Sequence, residues 1–367
     1  MGQFVARLWE ILSRRVDSFL FGVALTIAGV GLITLFSASD QSLVRLWSQV
    51  SSLAFALVLM WIVANIPPQT IARAAVPLYA VGIVLLVGVS FWGVSVNGSR
   101  RWLNLGFGRF QPSELMKIAL PLMLAWYFQK FEGRIGWKDF TLAAVLIAVP
   151  VYLIKRQPDL GTALLIGASG FYVLYLAGLS WKVIAGLVAA AAAAAPLVWP
   201  QLRDYQRERI LTFLDPTRDP LGAGYHSSQA SIALGSGGVV GKGWLNGTQT
   251  HLDFLPERHT DFIFAVFGEE FGLIGNVVLL ILYALLIGRG MMITASASTL
   301  FARLVAGAIT LMFFTYAFVN MGMVSGLLPV VGVPLPLVSY GGTALISLFI
   351  GLGILMSVQA HRKLVHT

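Results

Sequence analysis

The sequence predicts an all-α polytopic membrane protein with about ten transmembrane helices and a large extracytoplasmic loop between helices 7 and 8. Two composition figures and one pattern predict this class. Of the 367 residues, 57% are hydrophobic and 11% are charged, whereas a soluble domain has about 45–50% apolar and about 25% charged residues. The mean hydropathy is +0.81. Apolar runs of about 20 residues, the length that spans a bilayer, recur along the chain. We expect a single membrane domain over residues 1–367.

The apolar runs give the bounds of the predicted spans. The spans are residues 19–37, 48–65, 74–92, 112–129, 140–155, 160–178, 182–200, 261–287, 301–324 and 341–359. Residues 1–18 and 360–367 are then the termini, and residues 201–260 form the large loop. Seven consecutive alanines, Ala189–Ala195, give the seventh span a thin surface, which favours close helix packing.

The distribution of cations predicts the orientation. With the N-terminus inside, the cytoplasmic side carries twelve lysines and arginines and the short outer loops carry six. The positive-inside rule therefore places both termini in the cytoplasm. The net charge of +9 suits a membrane with anionic lipid, and a chain this apolar excludes a soluble nucleic-acid binder. Cysteine is absent, which excludes disulfides and thiolate metal sites.

The outer cations have two interpretations. They pair with loop carboxylates, or several converge on an anionic ligand at the outer membrane surface. Arginine favours the second interpretation, because its planar guanidinium makes paired hydrogen bonds to phosphate. The candidates for phosphate contacts are Arg101, Arg109 and Arg209.

The junction around Asp261 is the main candidate for chemistry. A polar run ends at Thr260, an apolar helix follows, and Glu269 and Glu270 lie inside it, where carboxylates are costly. Asp261 has two open interpretations, the N-terminal cap of the helix and a general base at the membrane surface. Glu269 and Glu270 lie about 12–13 Å deeper. We expect at least one of them to be a buried partner for a cation such as Lys117.

Two further charged positions lie at helix starts. Glu114 and Lys117 are three residues apart on one helix face, so mutual neutralisation is favoured slightly over catalysis. Asp159 follows a proline at the mouth of the sixth span, where a helix N-cap is the favoured interpretation.

Two irregular segments complete the candidates. The glycine-rich segment 222–250 is expected to be a flexible outer flap. Three prolines between Gly326 and Thr343 forbid a regular helix, and irregular backbone at membrane depth survives only where protein or water covers it. We expect this proline loop to re-enter the bundle and line a cavity, with the hydroxyl of Ser339 available to a ligand.

Six stretches together resemble the SEDS family of shape, elongation, division and sporulation proteins. They are RFQPSE, QPDLGT, DPLGAGYH, GSGGVVGKGWLNGTQ, LDFLPERHTDFIFAV and GVPLPLVSYGG. They occur in the family's order and extend from about the third span to the C-terminus. LPERHTDF is more similar to the rod-shape branch of the family than to the division branch.

The resemblance implies a peptidoglycan glycosyltransferase that polymerises lipid II into β-1,4 glycan strands at the outer face of the inner membrane during cell elongation. It implies Asp261 as the essential acid, and we expect it to act as the base. It also implies roles for the arginine-tryptophan pair Arg101 and Trp102, and for Glu114, Lys117 and Asp159. The expected partners are lipid II, a cognate class B penicillin-binding protein, other elongation-complex proteins and membrane lipid.

The reaction itself sets further expectations. Departure of a pyrophosphate needs charge stabilisation, from arginines or from a divalent cation such as Mg or Mn held partly by Asp261. Glu270 is expected to have a supporting role. Two alternatives remain, a lipid II flippase and a scaffold of the elongation machinery without catalysis.

Overall fold

The computed structural model describes residues 15–96, 99–104, 109–202, 204–215, 223–251 and 257–362. Within these ranges the chain is almost entirely helical, with one small antiparallel sheet in strand order β1-β2-β3. The elements are α1 (Ser18–Ala38), α2 (Leu43–Asn65), α3 (Pro68–Trp92), β1 (Val94–Val96), β2 (Ser99–Asn104), β3 (Arg109–Phe110), α4 (Pro112–Lys130), α5 (Trp137–Arg156), α6 (Leu160–Leu176), α7 (Trp181–Val198), α8 (Asp204–Leu214), α9 (Ala223–Ser236), α10 (Thr248–His251), α11 (Ile263–Ala295), α12 (Leu300–Val324) and α13 (Gly342–Ala360).

The predicted all-α membrane class is confirmed. Eight of the described helices are long and apolar enough to cross a membrane, namely α1, α2, α3, α5, α7, α11, α12 and α13. Each predicted span overlaps a helix, but α4 carries three charged residues and α6 has only 17 residues. The count of ten spans therefore stays a prediction.

Several boundaries differ from the predicted ones for local reasons. Helix α2 begins at Leu43 because the hydroxyl of Ser42 accepts a hydrogen bond from the Arg45 amide. Helix α3 begins at Pro68, because a proline at the first helical position leaves no internal hydrogen bond unmade. Both helices start in polar sequence, which hydropathy alone assigns to the loops.

Helices α12 and α13 form the buried centre of the bundle. Helix α13 packs on α2, and α12 packs on α4, α6 and α11. The alanine-rich helix α7 lies at the edge, and none of its residues is buried within the described part of the chain. The prediction that its alanines serve close helix packing is therefore wrong for this structure, since no described membrane helix packs along it.

Helix α11 is broken at Gly272, whose φ of 65° and ψ of −163° are not helical. The glycine-rich segment 237–243 fills the break. Its Gly238 and Val239 carbonyls accept from the amides of Leu273 and Ile274, at 2.9 and 3.1 Å. The Glu269 and Glu270 carbonyls accept from residues 242 and 243, both at 3.0 Å. The expectation of a free flap is wrong for this part, because irregular backbone at this depth needs these hydrogen bonds.

A groove of about 780 Å³ lies on the lipid-facing side between α11 and α12. Its wall is apolar and includes the exposed, stacked rings of Phe314 and Phe318. Leu327 and Leu328, at the start of the proline loop, border the same groove.

Candidate active site

Asp261 lies in a turn over residues 257–262 that precedes α11. Thr260 closes the turn by donating its amide and its hydroxyl to Glu257, at 3.0 Å to the carbonyl and 2.9 Å to the carboxylate. Arg258 pairs with Asp40 at the end of α1. The N-cap position of α11 belongs to Phe262, so the capping interpretation of Asp261 is wrong.

The proline loop and α12 together hold this turn through three successive backbone carbonyls. The His259 carbonyl accepts from the Tyr340 amide at 2.9 Å. The Thr260 carbonyl accepts from the hydroxyl of Ser339 at 2.6 Å, and the Asp261 carbonyl accepts from Nδ2 of Asn320 at 2.8 Å. These bonds fix the backbone of the turn and thereby the position of Asp261, which is half-buried.

Ser339 and Asn320 also bind the proline loop. The Ser339 hydroxyl accepts from the Leu335 amide at 2.8 Å, and Asn320 donates to the Val333 carbonyl at 2.6 Å. Ser339 is buried with its hydroxyl engaged on both sides, so the structure assigns it to holding the Asp261 turn. Its predicted contact with a ligand stays a prediction.

Gly332 brings the proline loop close to the Asp261 carboxylate. Its φ is +73°, in the region that favours glycine, and a Cβ at this position would lie 3.3 Å from Oδ2 of Asp261. The predicted re-entry of this loop agrees with its buried residues Val333, Leu335, Leu337 and Val338.

Arg101 and Asp159 form an ion pair on the same side of the bundle. Nη1 of Arg101, on β2, lies 3.4 Å from Oδ2 of Asp159, and Nη2 donates to the Pro158 carbonyl at 2.8 Å. Asp159 also caps α6, because its Oδ1 accepts from the Thr162 amide at 3.1 Å. The capping prediction is confirmed, and the arginine is an additional partner.

A second ion pair, between Glu114 and Lys117 in the first turns of α4, is buried. Nζ of Lys117 lies 2.7 Å from Oε1 of Glu114, and Ser347 of α13 donates to Oε2 at 2.7 Å. The ammonium also lies 5.0 Å from the ring centre of Tyr316. The predicted mutual neutralisation is confirmed.

Helix α12 connects the two parts of the site. Tyr316, which contacts Lys117, and Asn320, which holds Asp261, are four residues apart and therefore share a helix face about 6 Å apart along the axis. Tyr316 also packs with Val333 of the proline loop and Leu165 of α6. The proline loop thus packs against α12 and α6 beside Tyr316, and it also lies close to the turn that carries Asp261.

The buried glutamates of α11 have partners that differ from the predicted one. Oε1 of Glu269 pairs with Nζ of Lys242 at 2.7 Å and accepts from the Gln249 amide at 3.0 Å. Oε1 of Glu270 accepts from the hydroxyl of Ser37 on α1. A buried partner for a cation is confirmed for Glu269, but that cation is Lys242, since Lys117 is engaged by Glu114.

The remaining candidates lie at the outer edge. Trp102 is half-buried on β2, in register with Val94, and Arg109 is exposed on β3. The side chain of Arg209 lies outside the described residues. Among the described residues, no three His, Cys, Asp or Glu side chains form a group that could hold a metal ion. A divalent cation held by Asp261 would need substrate phosphates or other oxygen donors to complete its ligand set.

Comparison with known proteins defines the class. The model of the FtsW, RodA and SpoVE family, described as a cell cycle protein family, matches residues 16–364. The chain belongs to this family, the SEDS family whose motifs it carries.

Individual relatives cover nearly the whole chain. The chain is 51% identical over 350 residues to peptidoglycan glycosyltransferase MrdB of Escherichia coli K12, covering 95% of both chains. It superposes on rod shape determining protein RodA of Thermus thermophilus with a TM-score of 0.72 at 32% identity, covering 95% of this chain and 97% of that one. A chain from a peptidoglycan synthase complex, described as coordinating polymerisation and crosslinking, gives a TM-score of 0.83 at 35% identity, with 95% and 99% covered.

Sequence reasoning missed Asn320, Gly332 and Lys242. A single asparagine in the apolar helix sequence AFVNMGMV was a usable signal, since a buried amide must be hydrogen-bonded. The role of Lys242 had no local signal, because its partner lies 27 positions away.

Proposed function

We propose that this chain polymerises lipid II at the outer face of the bacterial inner membrane, with Asp261 as the general base. Family membership and 51% identity to a peptidoglycan glycosyltransferase show that the chain is a glycosyltransferase of peptidoglycan synthesis. The role of Asp261 as the base is proposed from one observation. Asp261 lies half-buried beside the proline loop, in a turn whose backbone is fixed by hydrogen bonds. A general base needs this kind of positioning against its substrate.

The proposed step is an inverting displacement. Asp261 takes the proton of a GlcNAc 4-hydroxyl as that oxygen bonds to the anomeric carbon of a MurNAc on a second lipid II. The bond from this carbon to the pyrophosphate oxygen breaks, and the polyprenyl pyrophosphate leaves with the bonding electrons. An α-linked donor and a β-linked product require inversion, so no covalent glycosyl-enzyme is needed.

Stabilisation of the leaving pyrophosphate is assigned to the cations at the outer edge. Arg109 is exposed and has no ion pair among the described residues, so its charge is uncompensated. Arg101 is partly neutralised by Asp159, although its buried Nε has no hydrogen-bond partner in the described part of the chain. Trp102 is a proposed substrate contact on the family resemblance, and Arg209 is proposed as one of the outer arginines that contact phosphate. A divalent cation held by Asp261 and phosphate would supply further charge stabilisation.

The proposed partner is a class B penicillin-binding protein, and the matching chain from a peptidoglycan synthase complex supports it. Both termini are proposed to be cytoplasmic, as the cation distribution predicts.

Polymerisation of labelled lipid II by purified protein with its transpeptidase partner tests the proposal. Asp261→Asn is expected to reduce glycan formation by about 10²–10⁴-fold, the usual contribution of a general base. Glu257→Gln, which removes an exposed carboxylate from the same turn, is the matched control and is expected to stay within a few-fold of wild type.

Both variants must melt at the wild-type temperature for the comparison to hold. Equal glycan ladders from wild type and Asp261→Asn would contradict the role of Asp261. The absence of ladders from wild type, beside an active control polymerase, would favour the flippase or scaffold alternatives.

A further inference from the structure

A second cavity, of about 260 Å³, lies at the end of the bundle opposite Asp261. The starts of α3 and α12 and the end of α4 line it. Its position agrees with the cation rule, which assigns these three helix ends to the cytoplasmic side. This cavity, here called the inner cavity, has no part in the glycosyl transfer proposed above.

Two cations in the wall of the inner cavity lack acidic partners. Arg73 and Lys130 are both exposed, and neither forms an ion pair or a side-chain hydrogen bond within the described residues. Lys130 is held over the rings of Trp126 and Phe131, at 5.5 and 5.9 Å from their centres. Within the described residues, the wall of the cavity therefore carries two cations that no ion pair neutralises.

Two of the three helix ends at the inner cavity favour an anion, and Lys130 in the last turn of α4 offsets the partial negative charge of the third. Helix α3 begins at Pro68 and α12 begins at Leu300, so two helix N-termini, each carrying a partial positive charge, border the same space. The amides of Gln69 and Gln129 add hydrogen-bond donors to the wall. Oxyanions of a phosphate match this combination of fixed cations, helix ends and amide donors.

The apolar part of the wall indicates the source of the phosphate. Ala72, Trp126 and Phe301 line the cavity together with the cations. Val76, one helical turn further along α3, is 38% exposed. An acyl chain that enters from the bilayer therefore contacts apolar surface next to the two cations. Free phosphate needs no such surface, whereas a phospholipid at the cytoplasmic leaflet needs both parts.

We propose that the inner cavity binds the phosphodiester headgroup of an anionic glycerophospholipid, with Arg73 and Lys130 as the headgroup contacts. Basic pockets between membrane helices on the cytoplasmic side bind such headgroups in general. The lipid would bridge α3, α4 and α12, and α4 and α12 also carry Lys117 and Asn320 towards the opposite end of the bundle.

Native mass spectrometry of the detergent-solubilised full chain tests this proposal with phosphatidylglycerol and phosphatidylcholine as probes. Wild type is expected to retain phosphatidylglycerol in preference to phosphatidylcholine. The double variant Arg73→Gln, Lys130→Gln is expected to lose about thirtyfold in phosphatidylglycerol affinity, from roughly fivefold for each cation at a membrane surface.

The matched control is Lys138→Gln, Lys182→Gln, which removes two exposed cations from the same predicted side outside the cavity. It is expected to bind phosphatidylglycerol as wild type does. Arg73→Lys, Lys130→Arg keeps both charges and is expected to retain binding. If the neutral double variant does not fold, Arg73→Gln alone replaces it as the decisive test, with an expected loss of roughly fivefold.

Three results would overturn the proposal. The first is equal weakening in the cavity and control variants, which would indicate general attraction to the leaflet. The second is equal retention of the two lipids by wild type. The third is complete displacement of phosphatidylglycerol by millimolar inorganic phosphate, which would identify a free-phosphate site.

Discussion

Replacing Lys242 with methionine removes the cation that neutralises Glu269, a residue with no exposed surface. The ammonium lies 2.7 Å from Oε1 of Glu269 and also donates to the hydroxyl of Thr248 at 2.7 Å. Methionine is unbranched like lysine, is one atom shorter and has no charge, so the carboxylate stays buried without this cation. The variant thus tests whether the pair fastens the segment around Lys242 to α11.

The size of the effect follows from what remains around Glu269. Removing one partner of a buried ion pair typically costs about 3–5 kcal/mol. The Lys242 side chain is 28% exposed, and Oε1 of Glu269 still accepts from Gln249, Thr248 and Ser236 at 3.0, 3.2 and 3.4 Å. We therefore expect a loss of about 2–3 kcal/mol, below the usual range.

Thermal melting of the purified protein in detergent measures this loss as a fall in Tm of roughly 3–6 °C. The double variant Lys242→Met, Glu269→Gln also removes the unpaired charge of Glu269, and it is expected to recover much of the lost Tm. Lys138→Met, which removes an exposed cation without an ion pair, is expected to melt as wild type does. A double variant no more stable than Lys242→Met would refute the reasoning, because the loss would not come from the unpaired carboxylate.

Two further predictions concern the segments around α11. Gly241→Ala places a Cβ 2.1 Å from the Glu270 carbonyl at a φ of +81°, so we expect a Tm fall well beyond that of Gly235→Ala, which meets open space in α9. Burial, followed by the charge of Arg45, lowers the pKa of His259 below 6.5. As the pH falls below 6.5 the unfolded chain binds a proton first, so stability falls, and His259→Gln should flatten this part of a Tm-against-pH curve.

Local sequence rules predicted the parts of the site that depend on neighbours along the chain. The three-residue spacing of Glu114 and Lys117 gave their ion pair, and the proline before Asp159 gave the cap of α6. The three prolines of residues 326–343 gave the re-entrant loop, because proline cannot continue a helix. In each case one or two turns of backbone determine the contact.

The contacts that the sequence left open join distant positions. The break at Gly272 is hidden in an apolar run, since hydropathy does not register a single residue with positive φ. Lys242 was not recognised as the partner of Glu269, and the predicted cation, Lys117, was already paired locally. Asp261 was assigned to either a cap or a base because its turn is built by hydrogen bonds from residues 320–340.

The broken helix α11 has a consequence for how the chain enters the membrane. The carbonyls and amides left open at Gly272 are completed by residues 237–243, which leave the ribosome earlier and, on the predicted topology, have crossed the bilayer before α11 is synthesised. The two halves of α11 must therefore contact a segment that, on this topology, has already been translocated across the bilayer. Insertion of this helix is complete only when that segment docks, so translocation of one part of the chain is a precondition for the final shape of another.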